Sequence, residues 1–529
     1  AELKDEIALA NLSAATQRDD YSRYNLYAQF GGIFGYSAQT LADNKISNIS
    51  IDADGNYVGG VSGYQVGTVS GNTVTDVDVY ADGNMVGGLF GQNENAIWEN
   101  TMSHILVNVR GAVVGGVSGY QSNHVRDNTI SDVTVAVSGS AAYTDDAKKT
   151  VTLKDGTTYT FDSGAFMWTA PKKTSAVKLT DLTADDMKDV DVVYYRSRQG
   201  DSVGGISGVG GNSSATYRNR VTNLYVSASG NYVGGVNGLR QGGSVYGMSI
   251  KDLTVYAGGT EDVGGLIGYA AISDCSSGNV LGNVKITAPH ASNVGGLAGR
   301  IDYAAYGTTA TYSINTLSNG ASNNTIQGQI IAGTSAGNSS DTTGSDGSDA
   351  ADSDSTDSTG STGGTGGTVT GGDNVGGLFG LVNKYTYIER NSAEVKIQAA
   401  GTAVGGLIGR YSTTKQGASI KSNTIISTVS GKDYVSGLIG CVTKGSSFFY
   451  NQAFNSISTV IMYNNLSATH VTAADADAVV SFWYAMEDED YSSELLSSGT
   501  ATVGSQADQP AYVGKQNIYS SQGKDNPYP

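Results

Sequence analysis

Val58-Gly-Gly-Val-Ser-Gly63 leads through a short turn into Asn72-Thr-Val-Thr-Asp-Val-Asp-Val-Tyr-Ala-Asp-Gly-Asn84, and then Val86-Gly-Gly-Leu-Phe-Gly91 begins the same sentence again. The opening Val-Gly-Gly-x-x-Gly recurs at Val114, Val203, Val233, Val263, Val294, Val375 and Val404, with variants at Phe30 and Val435. Successive starts lie 28, 28, 28, 89, 30, 30, 31, 81, 29 and 31 residues apart. A unit of 28–31 residues has the size of a solenoid repeat, and the two long intervals are copies lengthened by insertions.

Each unit reads as short strands joined at corners. Val77, Val79 and Ala81 alternate by two, as in a strand with one buried face, but Val74 to Val77 is a step of three. Both ends of that step reach the same face only if a corner or bulge lies between them. The same holds for Val58 and Val61 across Gly59-Gly60, where glycine supplies either freedom to kink or room for a neighbouring backbone. One unit has too few apolar side chains to offset the entropy of ordering it. Stacked units pair every strand edge and make the apolar rows continuous. The expected fold is all-β, a right-handed parallel β-helix or β-solenoid of about eleven coils of 28–31 residues. At a strand spacing of ~4.8 Å that is a rod of ~50 Å. Its structural residues are the motif glycines, such as Gly59, Gly60, Gly63, Gly87, Gly88 and Gly91. Beside them stands the asparagine heading each strand half, at Asn44, Asn72, Asn100, Asn128, Asn219, Asn279, Asn324, Asn391, Asn423 and Asn451. Asparagines at one position of stacked coils can bond to one another along the axis.

Composition narrows the function. The 529 residues include 73 Gly but only 5 Pro without a Gly-X-Y period, and 39% hydrophobic residues, so neither collagen nor general disorder fits. A net charge of -18 leaves no basic footprint for nucleic acid. Two cysteines cannot build a disulfide framework, and no apolar run is long enough for a membrane helix. Cys275 and Cys441 fall about four coils apart, roughly 19 Å, too far for a bridge.

The chain divides into an N-terminal cap (1–29), the solenoid (30–460, with insertions at about 141–201 and 337–372) and a C-terminal cap with an irregular tail (461–529). Leu3, Ile7 and Ala10 recur at helical spacing, so the first cap is expected to be a short helix. Asp155-Gly156 between alternating runs predicts a hairpin in the first insertion. The second insertion is Ser, Thr, Gly and Asp with almost nothing else, the composition of an acidic flexible loop. Asp346, Asp349, Asp352, Asp354 and Asp357 are its candidate calcium ligands, although their spacing matches neither an EF-hand nor a GGxGxD repeat. Both insertions enter after the long strand half, which marks that corner as an interaction face.

No catalytic constellation stands out. The polar row within the strand halves is Asn48, Asp76, His104, Asp132, Asn223, Asp252 and Asn283, with no two carboxylates on adjacent coils. Asp76 and Asp132 would flank His104 at a separation of ~10 Å, better suited to a solvated face than to acid–base work. None of the four histidines begins an HExxH motif, and Ser175-Ala-Val-Lys178 matches SxxK without its companion motifs.

The Val-Gly-Gly-[Leu/Ile/Val]-x-Gly copies resemble the GLUG repeat of bacterial surface and secreted proteins, as in the non-catalytic repeat region of streptococcal IgA-specific metallopeptidases. The resemblance covers about residues 30–460 and implies an extracellular or cell-surface bacterial protein. The peptidase activity does not carry over, because its metal-binding motif is absent. The expectation is a non-enzymatic structural protein without cofactor, either an adhesin stalk or a subunit of a self-assembling fibre. Its expected partners are further copies of itself, or a protein or glycan of a host or neighbouring cell. The alternative is a β-helix that binds or degrades a polysaccharide.

Overall fold

The computed structural model describes residues 29–138, 200–302, 320–333 and 371–443, apart from gaps at 212, 272–276, 384–386 and 413–418, with further short strands within 150–169 and 461–515. It is an all-β parallel β-solenoid. Each coil, numbered after its motif copy, runs through four strands, represented in coil 2 by Val58–Gly59, Ser62–Gln65, Val69–Ser70 and Thr73–Asp82. Equivalent strands stack into a first and a second sheet of 12 strands each, a side sheet, and a long sheet of 13 strands. Pairing is parallel and in register even across the insertions, with Val114 opposite Val203 and Val294 opposite Val375.

The expected N-terminal helical cap lies outside the described residues, among which no helix occurs. The count of eleven coils needs correction: about nine turns are regular. The 12-stranded sheets gain their last rung from Val480–Ser481 and Tyr484–Met486, which carry no glycine motif. Within the 81-residue interval extra sequence falls at two places, since a second long segment separates Ala298–Ile301 from Gly320–Ser322. In the first insertion Thr150–Thr152 pairs antiparallel with Thr158–Asp162, around Asp155-Gly156. At the far end Ala511–Lys515 runs antiparallel along Leu466–Ala473, the last full strand of the long sheet.

The core is a set of axial rows: Val58, Val61, Val74, Val77, Val79 and their counterparts are almost fully buried. The motif glycines are needed for proximity. None of them has a positive φ, but a Cβ on Gly88 would stand 2.2 Å from the Gly116 carbonyl oxygen and 2.4 Å from Ile105 Cγ2. The first and third glycines of the motif are equally close to backbone.

The turning is done elsewhere, by non-glycine residues in the left-handed region at three columns. One is the polar row from Asn48 to Asn283, including Asp76 (φ 58°) in the Val74–Val77 step. The second immediately precedes each Val-Gly-Gly and includes Tyr57, Met85 and Val113. The third immediately precedes the ladder asparagine, with Asp43, Glu99 and Asp127 in coils where others have Gly71 or Gly247. The bulge of the first column ends after coil 7: the register slips between Leu281 and Val284, and Gly328 takes the place opposite Val284. Beyond it the long strands are plain, with Ala393, Val395 and Ile397 buried at every second position.

Candidate functional site on the long sheet

The sequence row with the most chemistry, Asn48 to Asn283, forms a ridge on the outer side of the long sheet. His104 Nδ1 lies 3.5 Å from Asp76 Oδ1 and its Nε2 3.9 Å from Asp132 Oδ2. Asn223 Nδ2 donates to Asp132 Oδ1 at 2.8 Å and Asn283 Nδ2 to Asp252 Oδ1 at 2.6 Å. The Asn223 amide, followed by Ser131 and His104, holds the Asp132 carboxyl below its usual range. The structure therefore brings Asp76, His104 and Asp132 together, but in the open: their side chains are 53, 64 and 42% exposed. No surrounding wall excludes water, so the electrostatic gain available to an enclosed site is missing.

The backbone accounts for this residue set. Every member of the ridge has φ between 53° and 60°. Asn, Asp and His are the residue types that enter the left-handed region most readily after glycine. A column that reads like acid–base chemistry is thereby explained by conformation. His104→Asn is expected to leave unfolding stability unchanged to within ~0.5 kcal/mol, whereas the β-branched His104→Val costs ~1–2 kcal/mol. Urea unfolding of the two variants checks this, and equal stabilities would refute the conformational account.

The asparagines form a hydrogen-bonded ladder. The Asn72 backbone N–H and Nδ2 both donate to Asn100 Oδ1 at 2.9 Å, and Asn100 does the same to Asn128 at 2.9 and 3.0 Å. The run extends from Asn44 to Asn219 and resumes from Asn279 to Asn423. Between the two runs Met248 occupies the position, and Asn219 Nδ2 meets its Sδ at 3.6 Å. Asn451, Cys275, Ser175, Lys178 and the calcium candidates Asp346, Asp349, Asp352, Asp354 and Asp357 lie outside the described residues. Cys441 is buried in the second sheet.

The tyrosines next to the motif pack on one another across a corner. Tyr36 stacks on Tyr64 at 5.7 Å, Tyr57 meets Tyr64 at 6.0 Å and Tyr232 meets Tyr269 at 5.5 Å. Sequence reasoning missed a second column on the side sheet, where Trp98, Arg126, Tyr217 and Tyr246 are in register. Arg126 lies over Trp98 at 4.9 Å, and Tyr217 stacks on Tyr246 at 4.6 Å. Arg218 lies over Tyr217 at 4.9 Å and pairs with Asp127, which it brings down to about 2. Each of them stands two residues before the ladder position, at Asn100, Asn128, Asn219 and Met248, and that constant spacing was the available signal.

Among the described residues no group of His, Cys, Asp and Glu has metal-binding geometry, and no helix is long and apolar enough to cross a membrane. No protein-family model, curated protein or solved structure matches the chain.

Proposed function

We propose that this chain is a non-enzymatic extracellular structural protein of a bacterium: a β-solenoid rod that acts as an adhesin stalk or a fibre subunit. The observation that carries this reading is the unbroken register of the first sheet from Phe30 to Val480, maintained through excursions of very different length. Sequence is thus strictly constrained where it builds length and loosely constrained where it leaves the stack, which suits a spacer that displays loops. The resemblance to GLUG repeats supports the bacterial surface location, and the near-universal hand of parallel crossovers supports a right-handed coil. Negative-stain microscopy across a concentration series tests the form. Rods of ~50–100 Å are expected; compact particles would overturn the reading, and filaments growing with concentration would select the fibre form.

One observation favours the polysaccharide-binding alternative. Tyr225 and Tyr256 stand on adjacent long strands, each 42% exposed on the face that carries the ridge. Rings beside fixed amides and carboxylates suit a neutral glycan. Retention on a glycan array that is lost in Tyr225→Ala would support this alternative, and its failure to bind any glycan would leave the stalk.

A further inference from the structure

Four regularities of the rod change within coils 6–8. The Asn44–Asn219 ladder stops at Met248 in coil 6 and resumes at Asn279 in coil 7. The left-handed bulge of the long strand makes its last appearance at Asn283. The residue before Val-Gly-Gly, Tyr57, Met85, Val113, Ser202 and Tyr232 in coils 2–6, becomes Asp262, Asn293 and Asn374 in coils 7–9 and returns to Ala403 and Tyr434 beyond. In the second-sheet row facing it, Val209, Leu239 and Tyr269 give way to Arg300 in coil 8, followed by Leu381, Arg410 and Cys441.

At this boundary a carboxylate is buried. Asp262 in coil 7 is fully enclosed, with Asn293 Nδ2 of coil 8 donating to its Oδ1 at 2.8 Å. Arg300 Nη2, also of coil 8, lies 3.2 Å from Oδ2 without hydrogen-bond geometry and stacks at 4.2 Å over Tyr269. The other charged or titratable groups around Asp262 are Glu261 beside it, Asp302 beyond Arg300, and Tyr232 of coil 6.

We propose that coil 7 is a built-in seam: coils 1–6 and coils 8–11 open as two cooperative units, and the Asp262–Arg300 contact is a proton-sensitive latch between them. In a stack where each coil touches only its neighbours, cooperativity passes through nearest-neighbour interfaces and is weakest where those interfaces are least alike. The direction of the pH response follows from burial, which pushes the Asp262 carboxyl up to about 7 against the opposing pull of Arg300. An unfolded aspartate loses its proton near ~4. The folded seam thus holds a proton that the open state releases, so closure weakens as pH rises from ~4 to about 7, by up to about tenfold per unit, and levels off above.

Hydrogen exchange of the full chain at pH 5 and pH 8, corrected for intrinsic exchange rates, tests this. Amides of 204–257 and of 392–442 are expected to show two distinct opening constants. Those of 261–301 should lose at least about tenfold more protection than either group on going to pH 8. Asp262→Asn keeps an acceptor for Asn293 and the left-handed backbone; it should abolish the additional loss while leaving the two levels. One shared opening constant on both sides would overturn the seam. An additional pH-dependent loss that persists in Asp262→Asn would overturn the latch.

Discussion

Gly88→Ala is expected to abolish the folded rod around coil 3, at a cost of at least ~4 kcal/mol. Ordinary overpacking of a core costs ~1–3 kcal/mol because side chains can move aside. Here the nearer obstacle is the Gly116 carbonyl oxygen, 2.2 Å from the new methyl carbon. That oxygen belongs to the backbone of the next coil and cannot retreat without disturbing the pairing of Val86 with Val114. Gly282→Ala is the control, because nothing lies within 4 Å of its added methyl group. That substitution should be neutral or stabilise by ~0.4–1 kcal/mol through the unfolded chain. Far-UV circular dichroism and urea midpoints of both variants measure the contrast. A folded Gly88→Ala protein with a wild-type midpoint would refute the close-approach account of the motif.

Asn100→Ala is expected to cost ~3–5 kcal/mol, the penalty for more than one buried polar group left unmatched. The Asn100 side chain accepts from the Asn72 N–H and amide, and donates to the Val69 carbonyl at 3.3 Å, the Trp98 carbonyl at 3.0 Å and Asn128. Truncation strands the Asn72 N–H and the Val69 carbonyl in the interior. Asn100→Asp separates hydrogen bonding from shape: a carboxylate accepts but cannot donate, and burial raises its pKa. Its stability deficit should be greatest at neutral pH and shrink in acid as the carboxyl regains its proton. Urea unfolding at pH 7 and pH 4 checks the sign, and a deficit that grows in acid would show that the ladder bonds were assigned the wrong role.

Much of the stack can be read from residue spacing. The repeat period gives the register, the recurring asparagine gives an axial ladder, and the step from Val74 to Val77 requires the bulge at Asp76. The later strands were equally legible, since Ala393, Val395 and Ile397 step by two and need no bulge. The third column was half legible, because Gly71, Gly247 and Gly278 share it with Asp43, Asp127 and Asn323, whereas Glu99, Arg218, Arg390 and Ser422 carry no left-handed preference. The column containing Tyr57, Met85 and Val113 was not legible. Tyrosine, methionine and valine have no preference for positive φ, and stacking imposes that conformation against local propensity. The extra length between Ile301 and Gly320 was concealed for a different reason: an interval between motifs fixes the total length added, and leaves its division between corners open. The candidate ridge was visible as a row of Asn, Asp and His, but its cause, a left-handed backbone, appears only with the dihedral angles.

The reversed strand Ala511–Lys515 limits how the long sheet can be extended. A parallel stack has polarity: each long strand presents its neighbour with evenly spaced, slanted donors and acceptors, and the next strand can repeat the arrangement without end. In the final row of the long sheet Thr502–Val503 continues parallel beside Thr472 and Ala473, but the reversed strand takes the rest, matching Leu466 to Lys515 and His470 to Ala511. An incoming coil of the same sense meets an edge whose hydrogen-bond spacing belongs to antiparallel pairing. On that face a further coil has to pair with Ala511–Lys515, a strand running against the sense of the stack, so a fibre would need its end-to-end contacts on the other sheets.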